Sequence, residues 1–347
     1  MADRIRVGIV GAKFAAMLHA ESYRRLDDVE LVAVADPDAG ARDAFAEKYG
    51  VTGRFADVHA MLAGAEVDLV SACVPNFLHR EVVLACAAAG CDVVCEKPLA
   101  TTLDDARAMV AACDRAGVRL FYAEDWFFAP ALKRTRRILE QGGIGRPLYI
   151  RAKETHNGTH SPFAQQAKYC GGGAMIHLGI HPLAWAMAVA GEPIAEVRAD
   201  ASGGQGSNLV HRNYTGEDWA MAIVRFRSGL RAAIEANYVT VGGMDDVVEI
   251  YGSEGVIKVD LTFGSPLRVY SRGGIDYAVE KADFTHGWTR PAVDEFESLG
   301  YVGEIAEFVD CVRNHGKPKI NLRWHRRTNE GMNACYESIA RGQPVEV

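Results

Sequence analysis

The chain has 347 residues, 49% hydrophobic and 24% charged, enough for two domains that each bury a core. A formal charge of -7 leaves no basic excess to neutralise phosphates, so nucleic acid is excluded as the expected partner. No apolar run reaches the ~20 residues a bilayer span needs, and no membrane contact is expected. The opening Met1-Ala2-Asp3-Arg4-Ile5-Arg6 lacks the apolar stretch of a signal peptide, and the eight cysteines form no C-x-x-C pair. Reduced thiols in a cytoplasmic protein are the expectation.

Arg6-Val7-Gly8-Ile9-Val10 predicts a short strand that ends on Gly11, followed by a helix with Met17, Leu18 and Tyr23 among its apolar positions. Val29 to Ala35 predicts a second strand, closed by Asp36-Pro37. A strand, a glycine turn, a helix and a strand ending in aspartate form a mononucleotide-binding unit. The turn reads Gly11-Ala12-Lys13-Phe14-Ala15-Ala16, so only the first glycine of G-x-G-x-x-G remains. Lys13 stands where a glycine normally lets the backbone approach a pyrophosphate. Lys13, Phe14 and Ala15 are therefore expected beside the cofactor phosphates. Asp36 can accept hydrogen bonds from ribose hydroxyls and would repel a 2′-phosphate. NAD is the expected cofactor and NADP is disfavoured, although Arg42 lies nearby. The competing use of Asp36 is a helix cap before Ala39, a task that Asp38 can take over.

Two more strand-helix units follow. Asp68 to Val74 leads into Pro75-Asn76 and His79, then an alanine-rich helix to Ala89. Cys91 to Val94 leads into Cys95-Glu96-Lys97-Pro98, and a helix runs from Leu103 to Ala116 with Thr101 or Thr102 as its cap. Val118 to Tyr122 closes the set. Strands alternating with helices at this spacing predict a parallel, doubly wound sheet with right-handed crossovers. Gly11, Asp36, Pro75-Asn76 and Glu96-Lys97 all fall at strand carboxyl ends, where open α/β sheets bind ligands. Desolvating the Lys97 ammonium is costly unless something pairs it, and Pro98 stiffens its turn. Pro75, Asn76, His79, Glu96 and Lys97 thus join the expected cofactor-binding set.

After Trp126 the pattern changes. Pro130 to Gln141 predicts a helix with a solvated basic face. Strands are predicted at 148–156, 194–201, 218–227, 230–239, 246–251, 255–260 and 267–271, with hairpin signals at Ser228-Gly229 and Ser253-Glu254-Gly255. Helices near Tyr301 to Asn314 and Arg326 to Arg341 end the chain. The predicted architecture is α/β. Residues 1–125 form a Rossmann dinucleotide-binding domain, and residues 126–347 form an α+β domain on one open, mostly antiparallel sheet. One face of that sheet should carry helices. The other is free to pair with a second subunit, as a homodimer or homotetramer.

Chemistry collects in Gly171-Gly172-Gly173-Ala174-Met175-Ile176-His177-Leu178-Gly179-Ile180-His181-Pro182. Three consecutive glycines cost chain entropy, so the backbone is expected to pass close to something. His177 and His181 have the spacing of one helix face, although Pro182 leaves open where the helix begins.

Together these motifs resemble the Gfo/Idh/MocA oxidoreductases, which act on sugars, polyols and their derivatives. The likeness rests on Gly11 with Asp36, Val74-Pro75-Asn76 with His79, Glu96-Lys97-Pro98, and Gly171-Gly172-Gly173 through His181. It continues in Glu217-Asp218-Trp219, Tyr251-Gly252-Ser253-Glu254-Gly255 and Tyr336 to Gly342. The resemblance implies NAD-dependent oxidation of a secondary hydroxyl of a sugar, glycoside or cyclitol. It implies Lys97 as the active-site lysine, orienting and polarising the substrate oxygen, and His181 as the catalytic histidine that accepts the proton.

Where the family usually has an aspartate, four residues before that histidine, this chain has His177. A proton relay or second substrate contact is its expected part. No carboxylate that the sequence identifies then offsets the positive charge of Lys97, His177 and His181. Glu154, His156, Asn157 and His160 are expected along the pocket's outer wall, with Trp126, Lys153, Arg212 and Trp288 as further substrate-wall candidates. The spacing of Glu154, His156, His177 and His181 matches no strong ligand signature, and no metal is expected. Two other readings remain. One is a glycosidase working by transient C3 oxidation, elimination and re-reduction. The other is a non-catalytic dinucleotide-binding sensor, against which the retention of Lys97 and His181 counts.

Overall fold

The computed structural model describes residues 4–262, 264–275, 285–318 and 322–347. The chain forms two compact units. The first holds residues up to Phe128 together with Gly300–Arg326, and the second holds Ala129–Leu299 together with the residues from Arg327 onward. The expected division had one crossing near residue 125. The chain crosses back, because a late helix belongs with the first unit.

In that unit the elements are β1 (Ile5–Val10), α1 (Phe14–Tyr23), β2 (Val29–Ala35), α2 (Ala39–Tyr49), β3 (Gly53–Phe55) and α3 (Val58–Gly64). They continue with β4 (Leu69–Ala72), α4 (His79–Ala89), β5 (Asp92–Cys95), α5 (Leu103–Ala116) and β6 (Leu120–Tyr122). The sheet runs β3-β2-β1-β4-β5-β6 with every pairing parallel. Strand order reverses between β1 and β4, which opens the crevice where such sheets bind dinucleotides. Val7, Ile9, Leu69, Val70, Val93 and Val94 are buried completely, as strands covered on both faces require. Helix boundaries follow local chemistry. Asp38 caps α2 by accepting from the Ala41 N–H, and Thr102 caps α5 by accepting from the Asp105 N–H. Gly50 and Gly117 end these helices in the left-handed region. β3 and α3 have no counterpart among the expected elements, since a three-residue Gly-Arg-Phe edge strand shows no period.

The second unit contains α6 (Pro130–Glu140), β7 (Pro147–Thr155), α7 (Ala167–Cys170), α8 (Ala174–His177), α9 (Ile180–Ala190), β8 (Ile194–Ala201), β9 (Trp219–Phe226) and β10 (Arg231–Asn237). It goes on through β11 (Val247–Gly252), β12 (Val256–Asp260), β13 (Val269–Ser271), β14 (Gly287–Thr289) and α10 (Glu295–Leu299). The helix α11 (Tyr301–Arg313) is the segment that returns to the first unit, where Phe308 stacks on Phe121 at 4.9 Å between centroids. α12 (Leu322–Arg341) and β15 (Val345–Glu346) finish the chain. The large sheet runs β12-β11-β7-β10-β9-β8-β15. Only β7 and β10 are parallel neighbours; the other pairs are antiparallel, as expected. Alternation is clean. Ile150, Ala152 and Glu154 of β7 and Ala232, Ile234 and Ala236 of β10 point inward, where α9 packs on both strands. On the opposite face Tyr149, Met221, Ile223 and Val256 are exposed. Among the described residues, no single helix is long and apolar enough to cross a membrane.

Candidate active site

The first unit presents its ligand-binding features at the carboxyl ends of β1, β2 and β5. Gly11 has a φ of +98°, and a Cβ there would lie 2.1 Å from the Cys73 carbonyl oxygen, so only glycine lets the turn close over β4's exit. α1 begins at Phe14, which aims its N-terminal peptide dipoles at the same edge. Asp36 is buried, its Oδ2 accepting from the Ala12 N–H at 2.8 Å and its Oδ1 from the Asp38 N–H at 2.8 Å. The carboxylate is thus fixed at the strand end with acceptor capacity to spare for ribose hydroxyls. Lys13 is exposed and pairs with Asp38 at 3.4 Å, while Arg42 is turned towards Asp43 and the Asp36 carbonyl. A dinucleotide fits this turn, helix start and carboxylate.

Around Lys97 the wiring is more specific. His19, from α1 and completely buried, has Nδ1 3.0 Å from Ser71 Oγ and Nε2 2.9 Å from Glu96 Oε1. The other Glu96 oxygen accepts from the Lys97 N–H at 3.1 Å, and Tyr23 Oη meets Ser71 Oγ at 2.9 Å. Burial works to raise the Glu96 carboxyl, but the hydrogen bond and attraction of His19 and the Lys97 charge outweigh it and hold it below its usual range. Glu96, expected against the cofactor, therefore spends its carboxylate on His19 and the Lys97 backbone. His79 is a second correction. It is completely buried, with Nδ1 2.9 Å from the Pro98 carbonyl and Nε2 3.0 Å from that of Val74. Burial pushes its pKa down despite Glu96 and these carbonyls. His79 fastens the loop after β4 to the segment that follows Lys97, its ring nitrogens held against backbone carbonyls. Asn76 is buried, and Pro75 is partly exposed beside it.

In the second unit the glycines have a structural cause. A Cβ at Gly172 would sit 2.0 Å from Tyr336 Oη, and one at Gly173 would sit 2.1 Å from the Glu217 carbonyl oxygen. That close approach serves the start of α8. The Gly173 and Ile176 N–H groups donate to Tyr336 Oη at 3.2 and 3.1 Å, Ala174 donates to the Glu217 carbonyl at 2.8 Å, and Met175 donates to Glu217 Oε1 at 3.0 Å. Tyr336 Oη in turn donates to Glu217 Oε1 at 2.8 Å. The N–H groups that a helix start leaves over are thus met by residues far away in sequence. Burial raises the Glu217 carboxyl, against the pull of these donors. Its neighbour Asp218 goes the other way. Burial would raise it too, but the N–H groups of Val210, His211 and Leu209 prevail and hold it below its usual range.

His177, at the end of α8, is half-buried, with Nδ1 2.6 Å from Tyr238 Oη. Burial keeps the Tyr238 phenol protonated. His181 and Pro182 both lie within α9, so the histidine opens that helix. His181 is 3% exposed, with Nε2 3.7 Å from Glu154 Oε2. The other oxygen of Glu154 lies 3.6 Å from His156 Nε2. The expectation that no carboxylate accompanies the histidines is therefore overturned: Glu154 supplies one. Its expected place on the pocket's outer wall did not include this pairing, because a contact between β7 and α9 leaves no local signal in the sequence.

The remaining candidates scatter. His160 is exposed, its ring 5.1 Å from that of His156, and Asn157 bridges to Val239. Lys153 is a correction: the pleat turns it to the face opposite Glu154, where it pairs with Asp245. Trp126 is also corrected, being 1% exposed and part of the first unit's core. Arg212 donates to the Gly206 carbonyl at 2.8 Å, and Trp288 lies 77% exposed against Tyr270. His19, Ser71, Tyr238 and Tyr336 went unnoticed as site-supporting residues, since each acts across the fold and belongs to no short motif.

Comparison with known proteins agrees with this arrangement. Residues 5–124 match the oxidoreductase family with an NAD-binding Rossmann fold, and residues 132–258 match the GFO/IDH/MocA C-terminal domain. The chain is 29% identical over 350 residues to D-apiose dehydrogenase of Paraburkholderia graminis, covering 99% of this chain and 90% of that one. It is 32% identical over 261 residues to myo-inositol 2-dehydrogenase of Thermotoga maritima, covering 74% and 75% of the two chains. Among solved structures, GenD2 from gentamicin A biosynthesis in complex with NAD superposes with a TM-score of 0.93 at 25% identity, covering 100% of this chain and 97% of that one. With both family domains matched in order, the chain belongs to the GFO/IDH/MocA family and is an NAD-dependent oxidoreductase.

Proposed function

We propose that this enzyme oxidises a secondary hydroxyl of a sugar, glycoside or cyclitol. The observation that carries the reading is His181, a buried imidazole in the first turn of α9, just after the triple-glycine approach, where it can serve as a proton acceptor. Relatives named for apiose, inositol and D-glucoside substrates support it. Bound NAD supplies the acceptor for the hydride. His181 takes the hydroxyl proton, Lys97 orients and polarises the oxygen, and His177, held by Tyr238, contacts the substrate. Gly11, the start of α1 and Asp36 hold the cofactor. We also propose a homo-oligomer formed through the exposed face of the large sheet.

The test is a screen of sugars, aryl glycosides and cyclitols with NAD, following reduced-cofactor absorbance and product release together. Oxidation of a polyol with stoichiometric cofactor reduction is expected. Aglycone release without net reduction would assign the redox-neutral glycosidase chemistry in its place, and cofactor binding with no turnover would leave a sensor. In the same assay Lys97→Met should keep its fold and still bind NAD by calorimetry, yet lose at least ~10²-fold in turnover. Near-normal turnover would remove Lys97 from the chemistry.

A further inference from the structure

We propose that Glu154 is the positioning residue for His181, fixing its imidazole and stabilising the proton that it takes up. The inference rests on the reading of His181 as the proton acceptor. Glu154 is the last inward-facing residue of β7 and is 4% exposed. A carboxylate so placed is costly unless paired, and each of its oxygens faces one imidazole: Oε2 lies 3.7 Å from His181 Nε2, and Oε1 lies 3.6 Å from His156 Nε2.

Both sides of the contact are built on rigid elements. α9 packs directly against β7, and His181 is anchored at its first turn, with its N–H donating to the Leu178 carbonyl at 3.2 Å. His156 is pinned through its backbone, donating to the Asn237 carbonyl at 2.9 Å and accepting from the Thr240 N–H at 3.0 Å. The separation of 3.7 Å exceeds a hydrogen bond but lies within ion-pair range. The carboxylate therefore favours a proton on Nε2 and gains strength when the ring becomes an imidazolium. That moment comes when the substrate O–H bond breaks, its proton passing to His181 as the hydride leaves the same carbinol for nicotinamide. His177 cannot supply this charge, and Glu154 supplies it from the end of β7.

Glu154→Gln removes the charge while keeping the shape, and Glu154→Asp keeps the charge but withdraws it by one methylene. The histidine ring nitrogens of the intact, substrate-free protein are followed by ¹⁵N NMR, with His181→Asn assigning the His181 signals. Glu154→Gln should move the His181 Nε2 resonance, and Glu154→Asp should move it less and in the same direction. In turnover assays Glu154→Gln should lower kcat at least tenfold, with substrate KM and NAD affinity within twofold, and Glu154→Asp should recover part of the loss. An unmoved Nε2 resonance in either variant overturns the proposal, even if one of the two fails to fold. A moved resonance with unchanged kcat also overturns it, because the contact would then be packing alone. If the wild type oxidises no sugar or polyol, the functional reading fails by itself, and the spectrum still decides whether Glu154 holds His181.

Discussion

At the scale of single residues, the features that matter are side chains holding two tasks at once. Asp36 is the clearest. Its carboxylate braces the glycine turn through the Ala12 N–H, and in the proposed cofactor site it also meets the ribose of the dinucleotide. A carboxylate there repels a 2′-phosphate, so affinity for NAD should exceed that for NADP. Asp36→Ala should erase the preference and also weaken both cofactors, because the turn loses its brace; titration of each variant with both cofactors checks this. A preference for NADP in the wild type, or an unchanged ratio after substitution, would refute the role. The position was legible from sequence because it sits at a fixed distance from the glycine turn along one βαβ unit. His19 was not legible, and of Glu154 only its place near the pocket was. Their partners Glu96 and His181 lie on other elements, and periodicity reports which side of a strand or helix is buried without saying what is buried against it.

At the scale of elements, the short helix bearing His177 has no stable start of its own and borrows one. Glu217 and Tyr336 accept its leading N–H groups, from 42 and 160 or more residues away. The glycines that allow this were visible in the sequence as a close approach, but what they approach was not, since the clamp closes across the fold. Its energetics carry a pH signature. Burial raises the Glu217 carboxyl in the folded state, so ionising it costs more there than in the unfolded chain, where a glutamate titrates near ~4.3. Stability from this group is therefore lost as pH climbs from the unfolded value through the folded one, and the full penalty applies above both. Glu217→Gln keeps an acceptor for Met175 and has nothing to ionise. Its melting temperature minus that of the wild type should grow more positive from pH 4.5 to pH 7.5, by about 2–4 °C for each kcal/mol of penalty removed. Thermal melts at both pH values give the difference. A constant difference, or one that shrinks, would show that the buried carboxyl adds no pH-dependent penalty.

At the scale of the whole molecule, the second unit presents a broad sheet face that no helix covers among the described residues. Helices cover the inner side, and on the outer side Tyr149, Met221, Ile223 and Val256 are exposed among ion pairs such as Arg151–Glu249 and Arg225–Glu196. Seven strands at ~4.8 Å spacing span roughly 29 Å, and strands of about seven residues add roughly 23 Å the other way. Pairing two such faces would cover roughly 650 Å² per chain before side-chain relief, close to the ~800 Å² per partner of a stable interface. The mixed character matters as much as the area. The apolar residues supply the drive, and the flanking charges fix how two identical faces meet. Light scattering at micromolar concentration should therefore give the mass of two or four chains. Met221→Glu with Ile223→Glu places two carboxylates at the middle of the face without touching the core, because both side chains point outward from β9. That variant should scatter as a single chain while its circular dichroism and NAD binding stay as in the wild type. A wild type that is monomeric at these concentrations, or a double variant that keeps its full assembly, would show that the face meets solvent or something other than another copy of itself.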